Sequence, residues 1–308
     1  AREARQRPFR DDKILTGWNG LMVAALARAG AVLGEPAFTT AARQAADTLL
    51  RRVTDGGGRL LHGLRRSLRG EEPGGRAFAD DYAYLSWGLI ELYEASFELA
   101  YLGKARELTD ALLAEFWESG SAGGATLYLS SRGAETVLVR PRSEADGALP
   151  SAASVTALNL LRLARITQSS QYEEKALGLI RSLGPLAERH PRAFDFLLWA
   201  VDFQLGPACE VVIAGEPDAR DTRALAAAVR REFLPNKVLL LRPQDEAAAV
   251  ELAGFAPFTR FARFARNQVG QEGRATAYVC RDQACRRPTS DIPTMLAQLR
   301  EEQSGKEN

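Results

Sequence analysis

The chain has 308 residues, 46% of them hydrophobic and 26% charged, with a formal net charge of +1. That balance suits a globular chain with a sizeable core and excludes strong global attraction to nucleic acid or to an acidic membrane. No apolar run approaches the roughly 18 residues of a membrane span, and three cysteines are too few for a disulfide-stapled secreted fold.

The cytoplasm is therefore the expected compartment. The first residues, "AREARQRPFRDDK", are basic but lack the apolar core of a signal peptide, and no initiator Met is present, as expected of a fragment or a processed product. The two histidines, His62 and His190, have no metal-ligand company, so neither a metal nor a cofactor is expected.

From residue 16 to about 205 the chain reads as helices joined by Gly-rich connections. Thr16 is a plausible N-cap for "GWNGLMVAALARAGAVL", a run apolar nearly all round whose alanines permit close approach on several sides. The next run carries one stripe only, Phe38, Ala42, Ala45, Leu49 and Val53, as on an outer helix. The pair recurs: Leu26 and Phe38 match Ile90 and Leu102, then Leu160 and Tyr172. A helical hairpin repeated in this way cannot bury its apolar face alone, so stacked hairpins with an inner and an outer layer, an α/α toroid, are expected. A seventh helix, from about Ala193 to Leu205, begins another hairpin. Between hairpins, Leu127, Leu129, Val137 and Val139 alternate as a β-hairpin would.

After Pro207 the pattern changes. "CEVVIAG", "NKVLLL" and "ATAYVC" read as strands, with a helix at "DTRALAAAVRREFL", and the first two are expected to pair in parallel. The expected organisation is a mainly α partial toroid over residues 1–206, then a small α/β module over 207–308 with a disordered tail from 301. The loop "AGEPDARD" lacks the spacing of a dinucleotide site. Cys280 and Cys285, in "CRDQAC", stand too far apart for a redox C-x-x-C pair; ordinary buried thiols are expected, with a transient disulfide as the alternative.

In a toroid the inner helices run parallel and their N-termini gather at one rim. Three acidic segments fall there: "RDDKILTGWNG", "FADDYAY" and "SEADGALPSAAS". A helix N-terminus favours a carboxylate electrostatically, so capping explains one acid of Asp80 and Asp81 as well as chemistry does. Two acids exceed what a cap needs. Following Asp80 round the helix gives Tyr84, Trp87, Glu91, Glu94 and Glu98, a stripe able to stack on sugar rings and exchange protons, or simply a solvated face. The candidate catalytic residues are Asp80, Asp81 and Glu91. The candidate substrate-binding residues are Asp12, Trp18, Asn19, Tyr82, Trp87, Asp146 and Ser151.

Five blocks, "RPFRDDKILTGWNGLMVAALA", "FADDYAYLSWGLIELYEAS", "DGALPSAASVTALNLLRL", "PNKVLLL" and "ATAYVCRDQACRRP", resemble in order the C-terminal portion of the thioredoxin-domain-containing, spermatogenesis-associated protein family. The resemblance implies a six-hairpin α/α toroid of the glycosidase and sugar-epimerase type, preceded in the family by a thioredoxin-like domain that has no counterpart here. Ala153 stands where the family usually has Asn, which removes one potential ligand contact. Related epimerases use paired histidines, but His62 lies in a Gly-rich connection and His190 precedes Pro191 at a helix end; structural roles are expected for both. The expectation is a carbohydrate-binding or carbohydrate-processing module working through carboxylates. The alternative is a non-catalytic scaffold that positions a thioredoxin-like domain. A small carbohydrate or that domain are the expected partners.

Overall fold

The computed structural model describes residue 5 and residues 11–56, 58–67, 70–134, 138–243, 274–281 and 284–304. Three helical hairpins come first: α1 (Thr16–Leu33) with α2 (Pro36–Arg52), α3 (Ala79–Ser96) with α4 (Leu99–Phe116), and α5 (Ala152–Thr167) with α6 (Ser170–Arg189). Helix α7 (Asp195–Leu205) follows. Helices α1, α3, α5 and α7 pack side by side in that order, while α2, α4 and α6 each cover their own hairpin partner and touch the next inner helix. This is the layering of a partial α/α toroid.

The repeat is visible in local chemistry as well as in packing. Each inner helix of a hairpin ends on a residue in the left-handed region, Gly34 (φ 72°), Phe97 (φ 62°) and Gln168 (φ 54°), which turns the chain into the outer helix. Outer helices are stitched by equivalent bonds: the Tyr101 hydroxyl donates to Asp47 at 3.0 Å, and the Tyr172 hydroxyl to Asp110 at 2.6 Å. The inner pair α1–α3 packs closest. A Cβ on Gly20 would lie 2.6 Å from the Leu85 nitrogen, and one on Gly88 would lie 2.6 Å from the Gly20 oxygen, so glycine is what permits that approach.

Thr16 does not cap α1. Its hydroxyl donates to the Leu61 carbonyl at 2.6 Å, and its backbone N–H to the His62 carbonyl at 2.9 Å, pinning the first inter-hairpin connection onto the start of the helix. That connection is also not a plain loop. Strand β1 (Ile14–Leu15) pairs antiparallel with β2 (Gly63–Ser67), and β2 with β3 (Gly70–Pro73). A side chain at Gly63 would strike the Ile14 oxygen at 2.3 Å, which explains glycine there. In the second connection, β4 (Trp117–Ser119) pairs with β5 (Ala125–Leu127), so the partner of Leu127 is Trp117. The hairpin expected through Leu127, Leu129, Val137 and Val139 is shifted accordingly: Tyr128 bridges antiparallel to Arg142, the Leu129 N–H bonds the Pro141 carbonyl, Val139 is exposed, and Val137 lies outside the described residues.

The second part contains β6 (Cys209–Ala214), α8 (Arg220–Arg231), β7 (Lys237–Arg242), β8 (Thr276–Arg281), β9 (Ala284–Cys285) and α9 (Ile292–Ser304). The sheet order is β7-β6-β8-β9, with β6 and β7 parallel and β8 antiparallel to β6. Alternation divides the sheet into two faces. Val211, Ile213, Leu239, Leu241, Ala277 and Val279 pack with α8 and α9, while Val212, Ala214, Val238, Leu240, Tyr278 and Cys280 belong to the core of the helical layers. The boundary expected at 206 thus falls between α7 and β6, yet one hydrophobic core runs across it. Two further expectations change. The β8–β9 hairpin sets Cys280 directly opposite Cys285, their Cα atoms 3.9 Å apart, and the pair forms a disulfide where buried thiols were expected. The tail is helical to Ser304; residues 305–308 lie outside the described residues.

Candidate functional site at the helix N-terminal rim

The site is built by the helix ends and by the connections that return to them. An outer helix runs back to the rim from which its inner partner started, so each inter-hairpin connection crosses that rim. The first carries His62, and the Thr16 bonds fix it beside the start of α3.

Asp81, 1% exposed, is the hub. Its Oδ1 accepts from the Gly17 N–H at 2.9 Å, joining α3 to the first turn of α1. Its Oδ2 accepts from the Phe78 N–H at 2.9 Å and lies 2.7 Å from His62 Nδ1. An acceptor bonded by two backbone N–H groups acts as carboxylate towards the imidazole, so Nδ1 is the donor, and in the neutral ring Nε2 presents a lone pair. The His62 side chain is 38% exposed, and Phe78 meets its ring edge-on at 5.2 Å. Burial pushes the Asp81 carboxyl above its ordinary range, and the bonds from His62 and Phe78 draw it partly back. Burial also raises Asp80, opposed by the Asp81 N–H bond and by the charge of His62.

The acids at the other N-termini share this rim. Asp146 Oδ1 accepts from Ser151 N–H at 2.7 Å, and its Oδ2 from the N–H groups of Phe196 and Leu197, so it ties the start of α5 to that of α7 as Asp81 ties α3 to α1. Ser151 caps α5, its Oγ accepting from Ser154 N–H at 3.1 Å. Tyr84 lies between the two groups: its hydroxyl donates to the Pro150 carbonyl, and burial first, then the charges of Asp80, Asp146 and Asp81, push the phenol up. Trp18, 63% exposed, projects from the first turn of α1 next to Gly17. Asp12 is half-buried just ahead of β1.

Four residues expected at the site do other work. Tyr82 is buried against Phe116, its hydroxyl accepting from Leu60 N–H, so it offers no stacking surface. Asn19 donates to the Leu15 carbonyl at 2.8 Å within its own helix turn. Trp87 is wedged edge-on among Phe196 and Trp199 and donates to Glu91 at 3.1 Å. Glu91 lies three turns along α3 from the rim, bound to Arg162 at 2.7 Å, with Arg28 at 3.9 Å. Burial alone would raise its carboxyl, but Arg162 and Arg28 together hold it below the ordinary range. It is a committed ion pair. His62, for which a structural role was expected, stands partly exposed at the rim with its Nδ1 on Asp81. The readable signal was topological, since a connection following an outer helix must return to the inner N-termini.

Among the described residues no group of three or more His, Cys, Asp or Glu side chains is placed to hold a metal ion, and no helix is long and apolar enough to cross a membrane.

Fold and rim together define a helical-hairpin protein of the α/α toroid class with an acid–histidine cluster at one end. No protein-family model matches the chain. It is 37% identical over 304 residues to spermatogenesis-associated protein 20 of Homo sapiens and 36% identical to that of Rattus norvegicus, matching 97% of its own length in each case. The similarity read from the five blocks thus extends along nearly the whole chain. The chain spans 37% of the length of these curated relatives. Similar solved structures include a family 76 glycoside hydrolase from Bacteroides thetaiotaomicron, with TM-score 0.40 and 18% identity over 57% of this chain and 35% of that one. A cellobiose 2-epimerase from Bacillus thermoamylovorans gives TM-score 0.41 and 16% identity over 57% and 45%.

Proposed function

We propose that the rim binds a small carbohydrate and that His62 is its proton-transfer group, held by Asp81, with Asp80 as the neighbouring carboxyl and Trp18 as an exposed ring for stacking. One observation carries the reading: a partly exposed imidazole bonded at Nδ1 to a buried carboxylate, each of whose oxygens also accepts a backbone N–H. That arrangement fixes tautomer and orientation and leaves Nε2 to accept a proton from, or return one to, a sugar hydroxyl. It also shifts the chemistry from the two-carboxylate scheme expected from sequence. Asp81 has its oxygens occupied and acts through His62.

The test is calorimetry and turnover against a panel of mono- and disaccharides. A binding sugar should lose affinity in Trp18→Ala. If turnover is found, His62→Gln should lower kcat by about 10²–10⁴-fold, the usual worth of a positioned acid–base group. Absence of both heat and turnover across the panel removes the proposal.

A second reading is favoured by a different observation. Trp18 and Met22, 63% and 56% exposed, lie one turn apart on α1, an apolar surface suited to a protein partner. On that reading the chain is a scaffold, with the thioredoxin-like domain as the partner. Capture of that domain by the wild-type chain and its loss in Met22→Glu, with no response to sugars, would select it.

A further inference from the structure

At the far end of the inner helices from His62, a cavity of about 230 Å³ opens where edge strand β7 meets the last turns of α1 and α3. Its size is below the roughly 300–1,000 Å³ of drug-sized sites, so any ligand is small. Five cations line it, Arg28, Arg162, Arg230, Arg231 and Lys237, against three carboxylates, Glu91, Glu94 and Glu232. Arg162 is bound by both acids, at 2.7 and 2.9 Å. Glu232, at the mouth, is taken by Arg300 at 2.8 Å.

Three of the remaining cations are under-satisfied among the described residues. Among the described residues Arg230 donates to the Glu94 backbone carbonyl alone, and it stacks on Phe97. Arg28 lies over the Trp199 ring and 3.9 Å from Glu91. The Lys237 ammonium has a single hydrogen bond, to the Leu234 carbonyl at 3.4 Å, and no ion pair among the described residues. Burial pulls its pKa down, against the attraction of Glu94 and Glu91. Burial likewise lowers Arg230, to about 10. An ammonium kept in a largely buried place without a carboxylate costs free energy that a bound anion would return. The magnitude of the surplus sets the ligand's charge. Five cations exceed three acids by two, and the C-termini of α1, α3 and α8 in the lining contribute roughly half a negative charge each, leaving at most about one positive charge.

We propose that this cavity binds a small organic carboxylate, a monoanion seated between Lys237, Arg28 and Arg230 with its apolar body against Val32, Phe233 and Pro235. The experiment uses the full chain with benzoate as probe and benzamide, its neutral isostere, as control, read by calorimetry and by saturation-transfer NMR. Benzoate should bind and benzamide should not. Lys237→Met and Arg28→Met should each weaken benzoate binding at least tenfold while melting as the wild type does, and Trp18→Ala should leave it unchanged. Arg28 is 40% exposed on its side chain, so its variant tests the site even where Lys237→Met disturbs the strand. Equal binding of benzamide, no benzoate signal at millimolar concentration, affinity unchanged in Arg28→Met, or displacement of benzoate by equimolar inorganic phosphate would each overturn the assignment.

Discussion

Asp81 has a structural task and, on the proposed reading, a chemical one, and the two separate by substitution. In Asp81→Asn the side chain retains one acceptor, but the new amide group points a donor at the Phe78 N–H or at His62 Nδ1. A buried donor left unmatched costs about 1–3 kcal/mol. Urea unfolding should therefore show a loss of that size for Asp81→Asn and a much smaller one for His62→Gln, whose side chain is 38% exposed; equal losses would contradict the hub role. Glu91 gives a pH prediction. Its folded carboxyl titrates below the ordinary 4.5. As pH falls the unfolded chain takes up that proton first, so the ion pair's stabilisation is complete above about 4.5 and is lost as pH drops through the folded value. Melting temperature followed downward from pH 5 should fall less steeply in Glu91→Gln than in the wild type. The acids at 80, 81 and 146 were legible as N-terminal residues because helix starts attract carboxylates. Which oxygen meets which donor was not, since Gly17 and Phe196 lie 64 and 50 residues from the acids that hold them.

At the scale of elements, the closest contact is decided by two glycines. Gly20→Ala gains helix propensity of about 1 kcal/mol, yet its methyl group would meet Leu85 and Tyr84 backbone atoms at 2.6–2.8 Å. Backbone cannot swing aside as a side-chain tip can, so α1 must move off α3, and overpacking of this kind typically costs about 1–3 kcal/mol. A net destabilisation in thermal melts is expected; a stabilised variant would mean that α1 and α3 are further apart than described. The helices themselves were readable, because two interleaved periodicities, one broad and one narrow, mark inner and outer positions. The β1–β2–β3 sheet was missed because β1 is two residues long and pairs across the whole first hairpin. The Cys280–Cys285 bridge was only the alternative in the sequence because spacing says little until a hairpin sets the two residues opposite each other.

For the molecule as a whole, the question is whether the sheet stands apart from the helical layers. Val212, Ala214, Val238, Leu240 and Tyr278 are buried in the helical core, and Glu210 on β6 pairs with Arg165 on α5 at 3.1 Å. Burial of this kind couples the parts into one cooperative unit. Hydrogen exchange should give the slow amides of β6 and α5 the same opening free energy, and a chain cut after Gly206 should expose apolar surface and aggregate. Independent opening of β6 would show a separable module. The change of pattern at Pro207 coincides with the passage from α7 to β6, and it marks a change of secondary structure and not a break in the core.

The amino-acid order alone determined the helical hairpins, their inner and outer faces, the parallel β6–β7 pair and the gathering of acids at helix starts, because each depends on periodicity or on interactions within a few residues. Tertiary structure decided that His62 meets Asp81, that Glu91 belongs to Arg162, and that Lys237, without an ion pair among the described residues, faces a cavity. Those pairings join positions from 19 to 71 residues apart, and at such separations only the packed chain says which charge finds which partner.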